Sequence, residues 1–348
     1  MAVKKELFGK TSCGKDVYAY HISNNNDMEV VVLNYGCTIK NIIVPDKDGN
    51  KVDVALGYEE LGGYFDNSSF LGATVGPTAN RIANAKYKID DREFSLPVND
   101  GPNNLHTDMD NGFHKRVWEG EEGDNCVKFT LKADDGELGF SGNRVFEVTF
   151  SLSEDNALEL HYHATSDAKT LINMTNHSYF NLSGHNAGSI HNHTVTFNST
   201  QYTPVIDSAA IPTGEIASVK GTPFDFTSPK TIGEEVDSDF EQLKFVGGYD
   251  HNYVVDGADG SLKEFATVSS PVTGITMKCF TTLPGFQLYV GNFLKASGGK
   301  NGANYVPRDG FCLETQFYPN SINQPGFPDA VFGPGRDYDT KTVYQFSK

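Results

Sequence analysis

Short runs of alternating apolar and polar residues recur along the chain: Val30 to Asn34, Asn41 to Val44, Val127 to Lys132, Val145 to Leu152, Leu158 to Ala164, His193 to Phe197, Ala266 to Val268 and Gln287 to Val290. A two-residue period puts apolar side chains on one face of a strand and polar ones on the other, so each run predicts a half-buried β-strand. Gly, Asn, Asp and Pro separate the runs, as in Asp48-Gly49-Asn50, Asp134-Asp135-Gly136 and Asp259-Gly260. These residues suit the tight turns of hairpins and meanders. Thr175 to Leu182 also reads as a strand, with His177, Tyr179 and Asn181 on one face and Phe180 and Leu182 on the other. Helical blocks of Ala, Leu, Glu and Lys are scarce. The expected fold is all-β, a large antiparallel β-sandwich. No low-complexity linker or shift in composition interrupts it, so residues 1–348 read as a single domain.

Composition reinforces that picture: the 348 residues include 35 Gly, 24 Phe and 16 Tyr, a balance that favours strands and turns. The formal net charge of −17 argues against nucleic acid and anionic membrane surfaces, which call for clustered Lys and Arg. The five cysteines are scattered without a CxxC pair, which indicates neither a disulfide framework nor a zinc site and suits a reduced, cytoplasmic protein. The first residues contain no apolar signal-peptide core, and no stretch approaches 18 apolar residues, so export and membrane insertion are not expected.

Five segments hold single polar groups in β or turn contexts. In Thr175 to Leu182, His177 is either a candidate proton donor or acceptor near neutral pH or a hydrogen-bonded core histidine. After a Gly-rich approach, Asn80 and Arg81 form a turn that suits gripping hydroxyls or making a surface ion pair. His106 ends Asn103-Asn104-Leu105-His106 and is also readable as a plain loop residue. In Gly247 to Tyr253, Asp250 and Asn252 point the same way along a strand, an unusual place for Asp. In Phe311 to Gln316, Glu314 interrupts an apolar run, either on an exposed edge or in a pocket. His161 with His163, and His191 with His193, have His-x-His spacing, but neither pair is closely followed by an acidic partner, so no metal site is expected.

Read together, VGPTANRIA (from Val75), NNLH, TNHSYFNL, PTGE (Pro212 to Glu215), GGYDHNY, PGFQLYVGN (from Pro284) and CLETQFYPNSINQPGFP (from Cys312) resemble the aldose 1-epimerases, also called galactose mutarotases. The resemblance runs in order over nearly the whole chain. It implies a single-domain β-sandwich of the galactose mutarotase type that interconverts the α and β anomers of free hexoses, galactose and glucose, by acid/base ring opening and closure. By matching motif positions, Glu314 is expected to be the general base and His177 the general acid. His106 is expected to assist catalysis, and Asn80, Arg81, Asp250 and Gln287 to contact the sugar. The expected partner is a small aldohexose, with no cofactor, and the protein a monomer or homodimer. Two positions depart from the family pattern: Pro77 stands where many relatives have Arg, and Thr107-Asp108 where they have a glycine pair.

Other activities are open on the same residues. Asp250 and Glu314 as a carboxylate pair would suit glycoside hydrolysis. A hexose-phosphate epimerase of the same fold would want extra Arg or Lys near its pocket, which the acidic balance disfavours. A carbohydrate-binding protein without catalysis would have no need of a proton donor facing a carboxylate.

Overall fold

The computed structural model describes residues 2–348 and is built almost entirely of antiparallel strands. An amino-terminal five-stranded meander runs Ala2–Lys10, Asp16–Ser23, Glu29–Leu33, Thr38–Pro45 and Lys51–Asp53. A nine-stranded sheet is ordered Glu119–Glu122, Cys126–Ala133, Arg144–Leu152, Ala157–Ser166, Tyr338–Ser347, Thr276–Thr281, Lys263–Ser269, Thr194–Phe197 and Lys230–Thr231. A second five-stranded sheet is ordered Ala217–Ser218, Gln201–Tyr202, Asp250–Val254, Gly285–Tyr289 and Cys312–Gln316. The helices are short, Leu61–Phe65 and Glu241–Val246 among them, and among the described residues none is long and apolar enough to cross a membrane.

Alternation of side chains explains how these sheets pack. In the nine-stranded sheet, Phe146, Val148 and Phe150 face inward with Leu158, Leu160 and Tyr162, and all six are buried. The second five-stranded sheet meets that layer with Tyr253, Phe286, Leu288 and Leu313, which share one core cluster with them. Phe265 and Phe286 have ring centroids 4.4 Å apart, and the Tyr344 hydroxyl donates to the Leu313 carbonyl at 3.1 Å, tying the two layers together. Each buried aromatic contributes a few kcal/mol by removal of apolar surface from water. The expected all-β sandwich is the observed fold.

The eight alternating runs all fall on strands, within a residue or so at their ends. The expected strand from Thr175 to Leu182 does not form as such: Thr175–Asn176 pairs with Thr74–Val75, and the rest is irregular. That segment is threaded between three others, with Leu56 N donating to Tyr179 O at 2.9 Å, Asn181 N to Val54 O at 2.8 Å and Phe180 N to Phe311 O at 2.7 Å. Neighbours on every side bury all of its residues, so it has no solvent face for an alternating pattern to mark. The His-x-His pairs take structural roles. His161 and His163 lie on the outer face of the nine-stranded sheet against Asp339 (2.8 Å) and Glu147 (3.4 Å). Buried His193 accepts the Leu182 N–H at 2.9 Å, and His191 Nε2 lies 3.4 Å from the Arg308 guanidinium.

Candidate active site

One face of the second five-stranded sheet is apolar and buried in the core. The other is a polar floor. Strand register fixes its membership: Asp250 lies opposite Tyr289, Asn252 opposite Gln287, Gln287 opposite Glu314, and Tyr289 opposite Cys312. A period of two then puts Asp250, Asn252, Gln287, Tyr289, Cys312, Glu314 and Gln316 on one surface. Above this floor is a cavity of about 210 Å³ lined by Arg81, His106, His177, Asp250, Tyr289 and Glu314, with Phe293 at its rim. A larger hollow of about 610 Å³ between Thr11–Lys15 and Lys115–Glu119 contains none of the expected site residues.

Loop geometry carries the remaining groups over the floor. The NNLH and ANRI segments pair as a two-stranded ladder, Asn104 with Ile82 and Leu105 with Arg81. Asn80 and His106 both have left-handed backbone, φ 60 and 53, which turns their side chains off that ladder toward the cavity. Asn320 grips the other side of Arg81: its N–H donates to Arg81 O at 2.8 Å and its Oδ1 accepts the Ala83 N–H at 3.0 Å. The Arg81 guanidinium is held by Asp100, with Nε 2.8 Å from Oδ2. Phe70, also left-handed, packs between the histidines with ring centroids 4.8 Å from His106, 4.4 Å from His114 and 5.8 Å from His177.

His177 Nε2 lies 3.6 Å from Glu314 Oε1, and both side chains are buried. On the far side of the imidazole, Nδ1 is 3.5 Å from Cys312 Sγ. Glu314 Oε2 is buried with no hydrogen-bond partner. Such an orphaned polar atom is costly in a buried setting. Burial raises the Glu314 carboxyl well above its usual range; nearby Asp250 adds to the shift, and Arg81 opposes it. The same burial lowers His177 to about 4. Asp250 is likewise raised by burial, while Arg81 and the hydrogen bond from Gln287 pull it down.

His106 has its tautomer fixed by its surroundings. The Asn80 backbone N–H can only donate, and it reaches His106 Nδ1 at 3.1 Å. Nδ1 is therefore an acceptor, and the neutral ring carries its proton on Nε2. Burial, followed by the fields of His177 and Arg81, lowers the pKa of His106 well below its ordinary value, so it stays neutral.

Six of the seven expected site residues line the cavity: Asn80, Arg81, His106, His177, Asp250 and Glu314. Gln287 lies behind Asp250, its Nε2 donating to Oδ1 at 2.7 Å. Tyr179 lines the cavity beside His177, whereas Asn181, expected to share that face, turns away and donates to the carbonyls of Gly188 (2.7 Å) and Asp309 (2.9 Å). Neither departure from the family pattern lies among the lining residues; Thr107 spends its hydroxyl on Thr78, accepting its N–H at 3.1 Å and donating to its carbonyl at 2.9 Å. Asp100, Phe70, Tyr289 and Gln316 escaped the sequence reading. Tyr289 and Gln316 did lie within quoted motifs, PGFQLYVGN and ETQ, whereas Asp100 and Phe70 had no signal there. His106, His177 and Glu314 offer one ligand atom each within 4.8 Å, the one grouping among the described residues compact enough for a metal ion.

Known proteins match the chain over nearly its whole length. The family profile described as aldose 1-epimerase matches residues 18–345. Galactose mutarotase from Bos taurus is 39% identical over 349 residues, covering 100% of this chain and 99% of that protein. Aldose 1-epimerase from Escherichia coli K12 is 38% identical over 328 residues, covering 93% and 94%. Among solved structures, an aldose epimerase homologue from C. elegans superposes with a TM-score of 0.86 at 29% identity, covering 94% of this chain and 98% of that one. Galactose 1-epimerase from Lactobacillus acidophilus gives 0.85 at 28% identity, covering 99% and 98%.

Proposed function

The chain belongs to the aldose 1-epimerase family, and from that premise we propose that His177 and Glu314 exchange protons with a free hexose bound in the 210 Å³ cavity. The enzyme is an isomerase that interconverts the α and β anomers of free sugars. The observation that carries the residue assignment is that Glu314, whose buried Oε2 has no hydrogen-bond partner, lines one cavity with His177, His106, Arg81 and Asp250.

Ring opening removes a proton from the C1 hydroxyl and delivers one to the ring oxygen. Glu314 takes the first and His177 gives the second, each contributing roughly 10²–10⁴-fold. After rotation about C1–C2, the same groups reverse roles and the ring closes on either face. Opening converts a carboxylate and an imidazolium into a carboxylic acid and a neutral imidazole. Burial favours that neutral pair, so the cavity drives proton transfer in the bond-breaking direction. It also means that in the free site the shared proton rests on Glu314, and the opening-competent pair forms by moving one proton across 3.6 Å. Arg81, which opposes the rise of Glu314, helps that transfer.

The other groups orient the sugar. His106, with its proton held on Nε2, donates a neutral hydrogen bond. Arg81 and Asp250 make charge-assisted bonds to hydroxyls, and Phe293, 71% exposed at the rim, offers an apolar surface to one sugar face. We also read residues 1–348 as one domain acting in a reducing cytosol as a monomer or homodimer. A core cluster spanning Tyr20 to Phe346 and five unpaired cysteines support the first two points.

Polarimetry of freshly dissolved α-galactose or α-glucose tests the proposal: added protein accelerates the approach to equilibrium, and no acceleration by folded protein would refute it. Because proton transfer suffices, the rate survives exhaustive chelation. A rate lost to chelator and restored by a divalent cation would show that His106, His177 and Glu314 hold a metal instead.

A further inference from the structure

Behind the cavity, four side-chain amide or carboxylate groups form a continuous chain. The Arg81 backbone N–H donates to Asn80 Oδ1 at 2.8 Å. Asn80 Nδ2 donates to Gln316 Oε1 at 3.4 Å, and Gln316 Nε2 donates to Gln287 Oε1 at 3.0 Å. Gln287 Nε2 then donates to Asp250 Oδ1 at 2.7 Å. Gln316 also donates to Asn252 Oδ1 at 3.2 Å and is fully buried.

An isolated amide can be turned over with little change in shape, so its direction is set by its partners. Here both ends are fixed. A backbone N–H can only donate, and an ionised carboxylate can only accept. Every amide between them must therefore run the same way, and reversing any one sets two acceptors or two donors face to face in a buried setting. Asn80, its Oδ1 turned to the Arg81 N–H and one Nδ2 hydrogen given to Gln316, has its second Nδ2 hydrogen left to donate. Asp250, fed from behind by Gln287, presents acceptor oxygen. Gln316 is the member on which both depend, since it alone touches Asn80 on one side and Gln287 on the other.

We infer that Gln316 is a positioning residue that links Asn80 and Asp250 into one polarised unit, so that the sugar meets a fixed donor and a fixed acceptor at two of its hydroxyls. Without Gln316 each amide keeps only its outer partner, the Arg81 N–H for Asn80 and Asp250 for Gln287, so donor and acceptor are no longer held at a fixed separation and the pair of hydroxyls is less well matched. The inference rests on the sugar-binding reading above and concerns recognition, because no member of the chain hydrogen-bonds to His177 or Glu314.

The test is steady-state mutarotation by Gln316→Met, alone and in an Asp250→Ala background. If wild-type protein fails to accelerate mutarotation, the preceding reading falls before the variants are consulted. Given an active wild type, Q316M raises KM tenfold or more with kcat within threefold, and in the D250A background, where only the Asn80 arm is left to lose, its effect on kcat/KM is several-fold smaller. An unchanged KM, a loss confined to kcat, or equal losses in both backgrounds would overturn the inference. Should Q316M not fold, Gln316→Asn stands in for it, keeping the amide but too short to span Asn80 and Gln287, with the same outcomes expected.

Discussion

On the proposed assignment, Glu314 and His177 hold one transferable proton between them over the middle of the pH range. Below about pH 4 the imidazole takes a second proton, and the pair loses its acceptor. As pH rises through the raised pKa of the buried carboxyl, Glu314 gives up the shared proton, and the pair loses its donor. Activity therefore follows a bell, with its acid limb near His177 and its alkaline limb set by Glu314. Glu314→Gln cannot accept the C1 proton and should slow mutarotation by roughly 10²–10⁴-fold, while circular dichroism shows an unchanged fold. A rate within tenfold of wild type would remove Glu314 from the chemistry. The Glu314 assignment rested on a motif, since a carboxylate interrupting an apolar run is equally readable as an edge residue. What decides between these is the register that sets Glu314 against Gln287, on the floor of a cavity.

At the level of elements, the alternating strands were legible because each has one apolar and one solvated face. Cys312–Gln316 and Tyr338–Ser347 were harder to read. The first is buried along its whole length, and in the second buried Val343 breaks an alternation that Tyr338, Thr340, Thr342, Tyr344 and Phe346 otherwise keep. The loop around His106 shows how local strain is offset. Thr107 is β-branched with φ 71, a backbone better suited to the glycine of its relatives, at a cost of roughly 1–3 kcal/mol. Its two hydrogen bonds to Thr78 offset that cost and anchor His106 next to it. Thr107→Val keeps the shape and removes both bonds, stranding buried Thr78 groups for a loss of roughly 1–3 kcal/mol. Thermal unfolding should show the loss, accompanied by a raised KM; a variant as stable as wild type would mean that the hydroxyl does not support the loop.

Across the whole molecule, burial of histidines governs acid stability. His114 and His251 are lowered to about 3, His177 and His193 to about 4, and His106 and His185 are lowered too, chiefly by burial. A histidine with a depressed folded-state pKa binds its proton more readily when unfolded, so its cost appears as pH falls below about 6.5 and grows until the folded pKa is reached. Each unit of difference is worth about 1.4 kcal/mol. Asp250 and Glu314, raised by burial, act in the opposite sense, stabilising most at low pH and less as pH rises through the carboxylate range. The histidines outnumber them, so the melting temperature should fall steadily from pH 6.5 to 4. Calorimetry finding no change over that interval would contradict neutral burial of these rings.

The amino-acid pattern alone determined the β class, most strand positions and the turns between them, because two-faced strands and their hairpins write their geometry into local sequence. It also placed the chain in its family through motifs spread from Val75 to Pro328. It could not determine that His177 sits 3.6 Å from Glu314, that Asp100 holds Arg81, or that Gln316 joins Asn80 to Asp250. These relations join residues up to 236 positions apart. They arise only when strand register and loop closure bring distant segments onto one polar face and remove them from water.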